Sequence, residues 1–128
     1  MMGPGRKRIA VIGATGSVGS SVLDVCRAHP DALEVRALAA RSPSEKLAAL
    51  AAEFGVTMLC VHDAPPGFGA EGPGSKKLRG PGGLIAVAED PSVDHVVFAS
   101  SGTAAIPALQ AALRAGKEVS LANKESIV

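Results

Sequence analysis

The sequence contains no tryptophan, no tyrosine and only three phenylalanines, so it lacks the aromatic side chains on which single-stranded nucleic acids stack. It also lacks an excess of either charge, because 13 Lys and Arg residues face 12 Asp and Glu residues. A chain this close to neutrality has no bulk field to attract nucleic acid or an anionic membrane. Any anion that it binds must therefore be recognised by a few local groups.

Cysteines and long apolar runs are equally scarce. Cys26 and Cys60 are too few and too far apart for a disulfide scaffold or a zinc site, and each lies in an apolar run, so buried free thiols are expected. No apolar stretch approaches the ~20 residues that cross a bilayer, and the first residues lack the hydrophobic centre of a secretory signal. These absences predict a soluble, cytoplasmic protein without a membrane partner.

What the sequence does contain is a regular alternation of short apolar runs and helical patterns. With 128 residues, 47% of them hydrophobic, one domain over residues 6–128 with a short tail at 1–5 is expected. Strands separated by helices of this length predict parallel crossovers. The expected fold is a Rossmann-like α/β domain, a doubly wound, mainly parallel sheet of about five or more strands with helices on both faces. The predicted strands are 8–12, 33–40, 56–61, 94–99 and 117–122.

Helical spacing predicts which side chains face the core. Val18, Val22, Val25 and Cys26 recur at the spacing of one stripe in the first predicted helix, which ends at Pro30. The further predicted helices are 43–54, 84–89 and 103–115. In the last one, Thr103 is the expected cap, and Ile106, Leu109 and Leu113 are expected to face inward.

Residues 64–83 break the alternation. The segment is dominated by glycine and proline, which weaken helices and strands alike, so it is predicted to be a long flexible loop. Its three basic residues, Lys76, Lys77 and Arg79, are interpreted as a solvated basic stretch.

The strongest functional motif is "GATGSVG", residues 13–19, directly after the first strand and at the start of the first helix. Gly13 is expected to allow a sharp turn, Gly16 to let backbone N–H groups approach a pyrophosphate, and Gly19 to let the helix lie close to the strand. The anion would then sit at a helix N-terminus, with Thr15 and Ser17 as further donors. Glycines alone also fit a structural turn, but the strand before and the helix after favour dinucleotide binding.

The second strand ends where NAD-preferring domains carry an acidic residue for the ribose hydroxyls. This sequence has Arg41 and Ser42 there, a guanidinium and a hydroxyl that suit a 2′-phosphate. The predicted cofactor is therefore NADP(H), although Arg41 can also be a surface arginine that simply follows a strand.

Two segments, "GATGSVGSSVLDV" and "LRAGKEVSLANKESIV", closely resemble the N-terminal NADPH-binding region of the 1-deoxy-D-xylulose 5-phosphate reductoisomerase family. The resemblance spans essentially the whole chain, and the second segment is the more specific of the two. Members of this family convert 1-deoxy-D-xylulose 5-phosphate to 2-C-methyl-D-erythritol 4-phosphate with NADPH, in non-mevalonate isoprenoid biosynthesis. The resemblance therefore implies an oxidoreductase whose small-molecule substrate is a sugar phosphate.

The resemblance also implies roles for individual residues. Thr15, Gly16, Ser17 and Val18 would hold the pyrophosphate, Asn123 and Glu125 would contact the nicotinamide side, and Lys124 would be the catalytic residue that reaches substrate oxygens. An ammonium group there can stabilise the oxygen that gains charge during rearrangement and hydride transfer. Two stretches depart from the family pattern. "RSP" at 41–43 leaves open how the adenosine end is held, with Arg41 as the expected contact, and "SSGTAA" at 100–105 leaves open the backbone contacts of that turn to the cofactor.

In the family, Mg²⁺ or Mn²⁺ is held by a following Asp-Ser-Glu segment and by the catalytic domain, so no metal site is expected in these 128 residues. The catalytic and C-terminal domains, and the homodimer of the full-length family, are also expected to depend on residues absent here, so this chain alone should be inactive. Two alternatives remain: a stand-alone NADP(H)-binding module without catalysis, and the cofactor domain of a semialdehyde dehydrogenase.

Overall fold

The computed structural model describes residues 6–56, 58–64, 76–99 and 105–121. Strands and helices alternate over these residues, as the sequence pattern predicts. The strands are β1 (Lys7–Ile12), β2 (Leu33–Ala40), β3 (Met58–Val61), β4 (Lys76–Arg79), β5 (His95–Phe98) and β6 (Glu118–Leu121). The helices are α1 (Ser17–Ala28), α2 (Glu45–Phe54), α3 (Gly80–Glu89) and α4 (Ile106–Arg114).

The described strands form one sheet in the order β4-β3-β2-β1-β5-β6, and every neighbouring pair is parallel. The order reverses direction between β1 and β5, which is the arrangement of a doubly wound sheet. The predicted Rossmann-like α/β fold is thereby confirmed. Because all strands run the same way, their last residues meet at one side of the sheet, called here the carboxyl edge.

Two apolar layers, one on each face of the sheet, make up the core. Alternate residues of β1 point to opposite faces: Ile9 and Val11 pack with α1 and α2, whereas Ala10 and Ile12 pack with α3 and α4. Burial on both faces explains why the central strands are continuous apolar runs rather than alternating ones. Cys26 and Cys60 are buried as free thiols in these layers, as predicted.

The prediction of a flexible loop over residues 64–83 is wrong for its second part. Residues Lys76–Arg79 form the edge strand β4, and α3 begins at Gly80, four residues before the predicted helix at 84–89. An edge strand tolerates polar side chains, so "KKLR" lacks the apolar run on which the strand prediction depended. Gly80 has a positive φ of 68°, and Pro81 lies in the first turn of α3, where a proline costs no hydrogen bond. Residues 65–75 lie outside the described part of the chain.

The predicted inward faces of two helices are also partly wrong. In α1, Val22 and Cys26 pack in the core as predicted, but Val18 and Val25 are exposed, and Gly19 and Leu23 are buried instead. The pattern of valines placed the stripe about one residue away from the face that packs.

In α4 the predicted inward residues Ile106 and Leu113 are exposed, whereas Leu109 packs against the core as predicted, and the fully buried residues are Ala108, Ala111 and Ala112. Small side chains let this helix approach its neighbours closely, so three alanines and Leu109 form the contact. The helix begins at Ile106 after Ala105, which makes no side-chain cap, and the predicted cap Thr103 lies outside the described residues.

Candidate functional site

The candidate site lies at the carboxyl edge, where β1 and β5 stand side by side. Ile12 pairs with Phe98, and α1 and α4, the helices that come next in the chain after β1 and β5, pack on opposite faces of the sheet. In sheets of this kind, the place where the strand order reverses is the usual ligand site. The glycine turn follows β1 and therefore lies at this place.

Backbone hydrogen bonds fix the glycine turn to the sheet. The amides of Gly13 and Ala14 both donate to the carbonyl of Ala39, at 2.8 and 2.9 Å, and the amide of Gly16 donates to the carbonyl of Gly13 at 3.3 Å. Gly13 has φ 91°, in the left-handed region that glycine adopts at little cost. The predicted sharp turn at Gly13 is confirmed.

Gly19 and Gly16 differ in the space that the fold leaves for a side chain. A Cβ on Gly19 would lie 2.9 Å from the Cα and the carbonyl carbon of Ala14 and still closer to the carbonyl oxygen of Gly13, so only glycine fits. The predicted close approach of helix to strand is confirmed. A Cβ on Gly16 would meet the Gly13 oxygen at an ordinary 3.7 Å, so nothing in the fold demands glycine there.

The first turn of α1 offers unpaired donors at this place. Gly16 is the N-cap residue and provides no side chain to the backbone, and the first intrahelical bond is that of Ser20 to Gly16 at 2.9 Å. The amides that follow the cap have no intrahelical acceptor, and no acidic residue in the first turn competes for the positive end of the helix. Ser17 and Val18 are exposed here, and Thr15 is half-buried. This end of α1 can accept an anion.

A second group of polar side chains follows β2 and β3 at the same edge. Arg41 leaves 76% of its side chain exposed, with Nε 3.6 Å from Oδ2 of Asp63, and its carbonyl accepts from the Asp63 amide at 2.7 Å. Ser42 is exposed beside it, and His62 Nδ1 lies 2.8 Å from Asp63 Oδ1. Asp63 was not predicted from the sequence, and it lies close enough to Arg41 to weaken the charge that the guanidinium presents.

The structure adds Lys46, which sequence reasoning missed. Its Nζ donates to the carbonyl of Thr15 at 3.0 Å and approaches Ser20 Oγ at 3.2 Å, so the second residue of α2 reaches the glycine turn. Crossover helices run antiparallel to the strands and begin at the carboxyl edge. A lysine in the first turn of the second helix was therefore the signal that could have found it.

Some predicted site residues lie outside the described part of the chain. These are Asn123, Lys124 and Glu125, together with the turn at 100–104. The last residue of β6, Leu121, pairs with Phe98, which pairs with Ile12. Two strand spacings put the end of β6 about 10 Å from the end of β1. The chain therefore enters residues 122–128 from the same edge as the glycine turn, and their contacts stay a prediction.

Metal-binding clusters and membrane-spanning helices are both missing from the described residues. No group of three or more His, Cys, Asp or Glu side chains in the described ranges is placed to hold a metal ion. Within the same ranges, no helix has both the length and the apolar character to span a membrane.

A family model described as 1-deoxy-D-xylulose 5-phosphate reductoisomerase matches residues 9–128, which is nearly the whole chain. The chain belongs to this family. A curated reductoisomerase from Ralstonia nicotianae is 45% identical over 127 residues, covering 94% of this chain and 32% of the relative. The match confirms the resemblance predicted from the two terminal segments, and no comparison supports the semialdehyde dehydrogenase alternative.

Solved structures of the same family share the fold. The reductoisomerase from Zymomonas mobilis in complex with NADPH has a TM-score of 0.83 at 32% identity, covering 95% of this chain and 33% of that one. A reductoisomerase in complex with magnesium has a TM-score of 0.84 at 39% identity, covering 95% of this chain and 32% of that one. The chain thus spans about a third of the length of the reductoisomerases it matches.

Proposed function

We propose that this chain is the NADPH-binding portion of a 1-deoxy-D-xylulose 5-phosphate reductoisomerase. The observation that carries the proposal is the glycine turn of residues 13–19, which ends in the uncapped, acid-free first turn of α1 at the reversal point of the sheet. A family member of the same fold is in complex with NADPH. A pyrophosphate bound at these amides would lie on the positive end of a helix.

Each part of the cofactor is assigned to a group of residues. Gly13, Thr15, Gly16, Ser17, Val18 and Gly19 form or border the pyrophosphate site. Arg41 and Ser42 bind the 2′-phosphate, because a forked guanidinium and a hydroxyl both donate to phosphate oxygens. The exposure of the Arg41 side chain and its long 3.6 Å separation from Asp63 support this role, since a weakly held arginine can turn to a ligand.

The reactive end of the cofactor is assigned to residues that follow β6. Asn123 and Glu125 contact the nicotinamide side, and Lys124 donates to the substrate oxygen that gains negative charge when hydride is transferred. The proposed substrate of the whole enzyme is 1-deoxy-D-xylulose 5-phosphate, and the product is 2-C-methyl-D-erythritol 4-phosphate. Because β6 is parallel to its neighbour, its last residue, Leu121, lies at the same edge as the glycine turn, which supports the assignment.

The metal, the dimer and the location extend the same proposal. A family member binds magnesium, and we assign Mg²⁺ or Mn²⁺ to carboxylates beyond these 128 residues. The full-length enzyme is proposed to be a cytoplasmic homodimer, and this chain alone to be inactive toward the sugar phosphate.

Titration of the chain with NADPH and NADH, followed by nicotinamide fluorescence, tests the cofactor assignment. Arg41→Ala should weaken NADPH binding by about tenfold or more, because a charge-assisted bond to phosphate is lost, and change NADH binding less than about twofold. The matched control is Arg114→Ala, an exposed arginine in the last turn of α4 and hence at the opposite edge of the sheet. A uniform loss for both dinucleotides would remove the 2′-phosphate assignment, and no binding of either would remove the proposed function.

A further inference from the structure

Lys46 lies in α2 and contacts residues of the preceding strand-helix unit, which consists of β1, the glycine turn and α1. Its ammonium group lies 3.0 Å from the carbonyl oxygen of Thr15 and 3.2 Å from Oγ of Ser20, so it contacts the glycine turn and the first turns of α1 together. The residue itself follows Glu45 at the start of α2, a helix capped by Ser44 Oγ, which accepts from the Leu47 amide at 3.1 Å. The cap fixes the place from which the lysine side chain extends.

The hydrogen-bond partners of Lys46 do not neutralise its positive charge. Both are neutral oxygens, a carbonyl and a hydroxyl, whereas Arg6 and Arg8, at the other edge of the sheet, pair with the carboxylates of Glu34 and Asp94. An ammonium group has three donors, and the third has no partner among the described residues. Its positive charge therefore adds to that of the α1 N-terminus at the place where we propose a pyrophosphate.

We propose that Lys46 is a further residue of the dinucleotide site, which acts at the pyrophosphate. By holding the Thr15 carbonyl it orients the turn so that the following amides face the anion, and it places a full positive charge beside that anion. This inference rests on the proposed function. It assigns to α2 a part in binding the pyrophosphate in addition to the 2′-phosphate contacts proposed for the segment before it.

The proposal predicts a pattern that differs from that of Arg41. A group at the 2′-phosphate distinguishes NADPH from NADH, but both dinucleotides contain the pyrophosphate. Loss of Lys46 should therefore weaken both by the same factor. It should also make binding less sensitive to salt, because one of the charges that salt screens is gone.

The test compares Lys46→Met, which keeps the apolar stem and removes the charge, with Lys46→Arg, which keeps the charge. The matched control is Lys7→Met, which removes the same charge from the opposite end of β1, where Lys7 pairs with Glu118. Dissociation constants for NADPH and NADH are measured at low and at high salt, and a thermal melt of each variant confirms folding. Inorganic pyrophosphate is then titrated as a competitor of NADPH.

We expect Lys46→Met to weaken NADPH and NADH by roughly fivefold or more each at low salt, and to weaken competition by pyrophosphate as well. Lys46→Arg should restore most of the affinity, and Lys7→Met should bind like the unmodified chain. The proposal is overturned if Lys46→Met binds within twofold of the unmodified chain, if it loses only NADPH, or if Lys7→Met loses as much. Failure of the unmodified chain to bind any dinucleotide would overturn the proposed function together with this inference, whereas the other outcomes leave the proposed function intact.

Discussion

Gly19→Ala would place a methyl group between α1 and the turn that precedes it. The added Cβ would lie 2.9 Å from both the Cα and the carbonyl carbon of Ala14, and closer still to the Gly13 carbonyl oxygen. Carbon atoms that are not bonded normally stay at least about 3.5 Å apart. These neighbours are all backbone atoms, so no side chain can rotate away to relieve the clash. The start of α1 must therefore move away from the turn by roughly half an ångström or more.

The expected change in the free energy of unfolding is the sum of an overpacking cost and a gain in helix propensity. Overpacking of this kind typically costs about 1–3 kcal/mol, and three backbone contacts at once argue for the upper part of that range. Replacing a glycine inside a helix by alanine raises the free energy of unfolding by at most about 1 kcal/mol through the higher helix propensity of alanine. We therefore expect a net loss of about 2 kcal/mol in the free energy of unfolding, which lowers the melting temperature of a domain of this size by roughly 5–12 °C.

Gly16→Ala is the matched control, because its Cβ would meet the Gly13 oxygen at 3.7 Å and its φ of −81° suits any residue. This variant should melt like the unmodified chain, within about 0.5 kcal/mol. Its methyl group would nevertheless stand in front of the amides proposed to bind pyrophosphate, so NADPH affinity should fall. Urea unfolding tests the expected stabilities of both variants, and NADPH titration tests their expected affinities. Gly19→Ala with unchanged stability, or Gly16→Ala with unchanged NADPH affinity, would refute the reasoning.

Three further predictions concern charged and titratable groups. Hydrogen bonds from Arg8 lower the pKa of Asp94 to about 2, below the ordinary value of about 3.9, so this carboxylate stabilises the fold above pH 4 and loses its contribution as the pH falls toward 2. Asp94→Asn should therefore lower the urea midpoint at pH 7, and the difference should shrink at pH 2–4. Burial raises the pKa of Cys60 to about 11, so a disulfide reagent at pH 8 should modify it only after denaturant is added. Asp63→Asn should raise NADPH affinity by up to about fivefold without changing NADH, because it removes the carboxylate beside Arg41; weaker NADPH binding would contradict that role.

Periodicity predicted the centre of this fold better than its edges. The strand at Leu33–Ala40 was predicted with its observed bounds, because a run of eight strand-forming residues between turn signals allows little else. β4 was missed because an edge strand has fewer apolar contacts, and "KKLR" contains one apolar residue. The inward face of α4 was predicted correctly only at Leu109, for a different reason. Hydrophobic size pointed to Ile106 and Leu113, but close helix packing selected the alanines.

In the candidate site, the features that depend on neighbouring residues in the sequence were predicted, and those that depend on distant residues were missed. The turn at Gly13 and the close approach at Gly19 were predictable, because both follow from a glycine motif with a strand before and a helix after. Lys46 and Asp63 were missed, because each gains its importance from a neighbour contributed by another element. Sequence spacing predicts contacts within one crossover unit, whereas contacts between units require the sheet order.

The distribution of ion pairs bears on how a chain with a net charge of only +1 would attract the proposed dinucleotide. At the edge where the strands begin, four cations pair with carboxylates: Arg6 with Glu34, Lys7 with Glu118, Arg8 with Asp94, and Arg27 with Glu53. Lys117, at the same edge, donates to the backbone carbonyls of Asp90 and Val93. At the carboxyl edge, Lys46 contacts only neutral oxygens, and Arg41 has a carboxylate no closer than 3.6 Å among the described residues. Charges that are paired nearly cancel beyond a few ångströms, whereas unpaired ones keep their field. At the carboxyl edge, the attraction for phosphate therefore depends on how single charges such as those of Lys46 and Arg41 are paired, and not on composition alone.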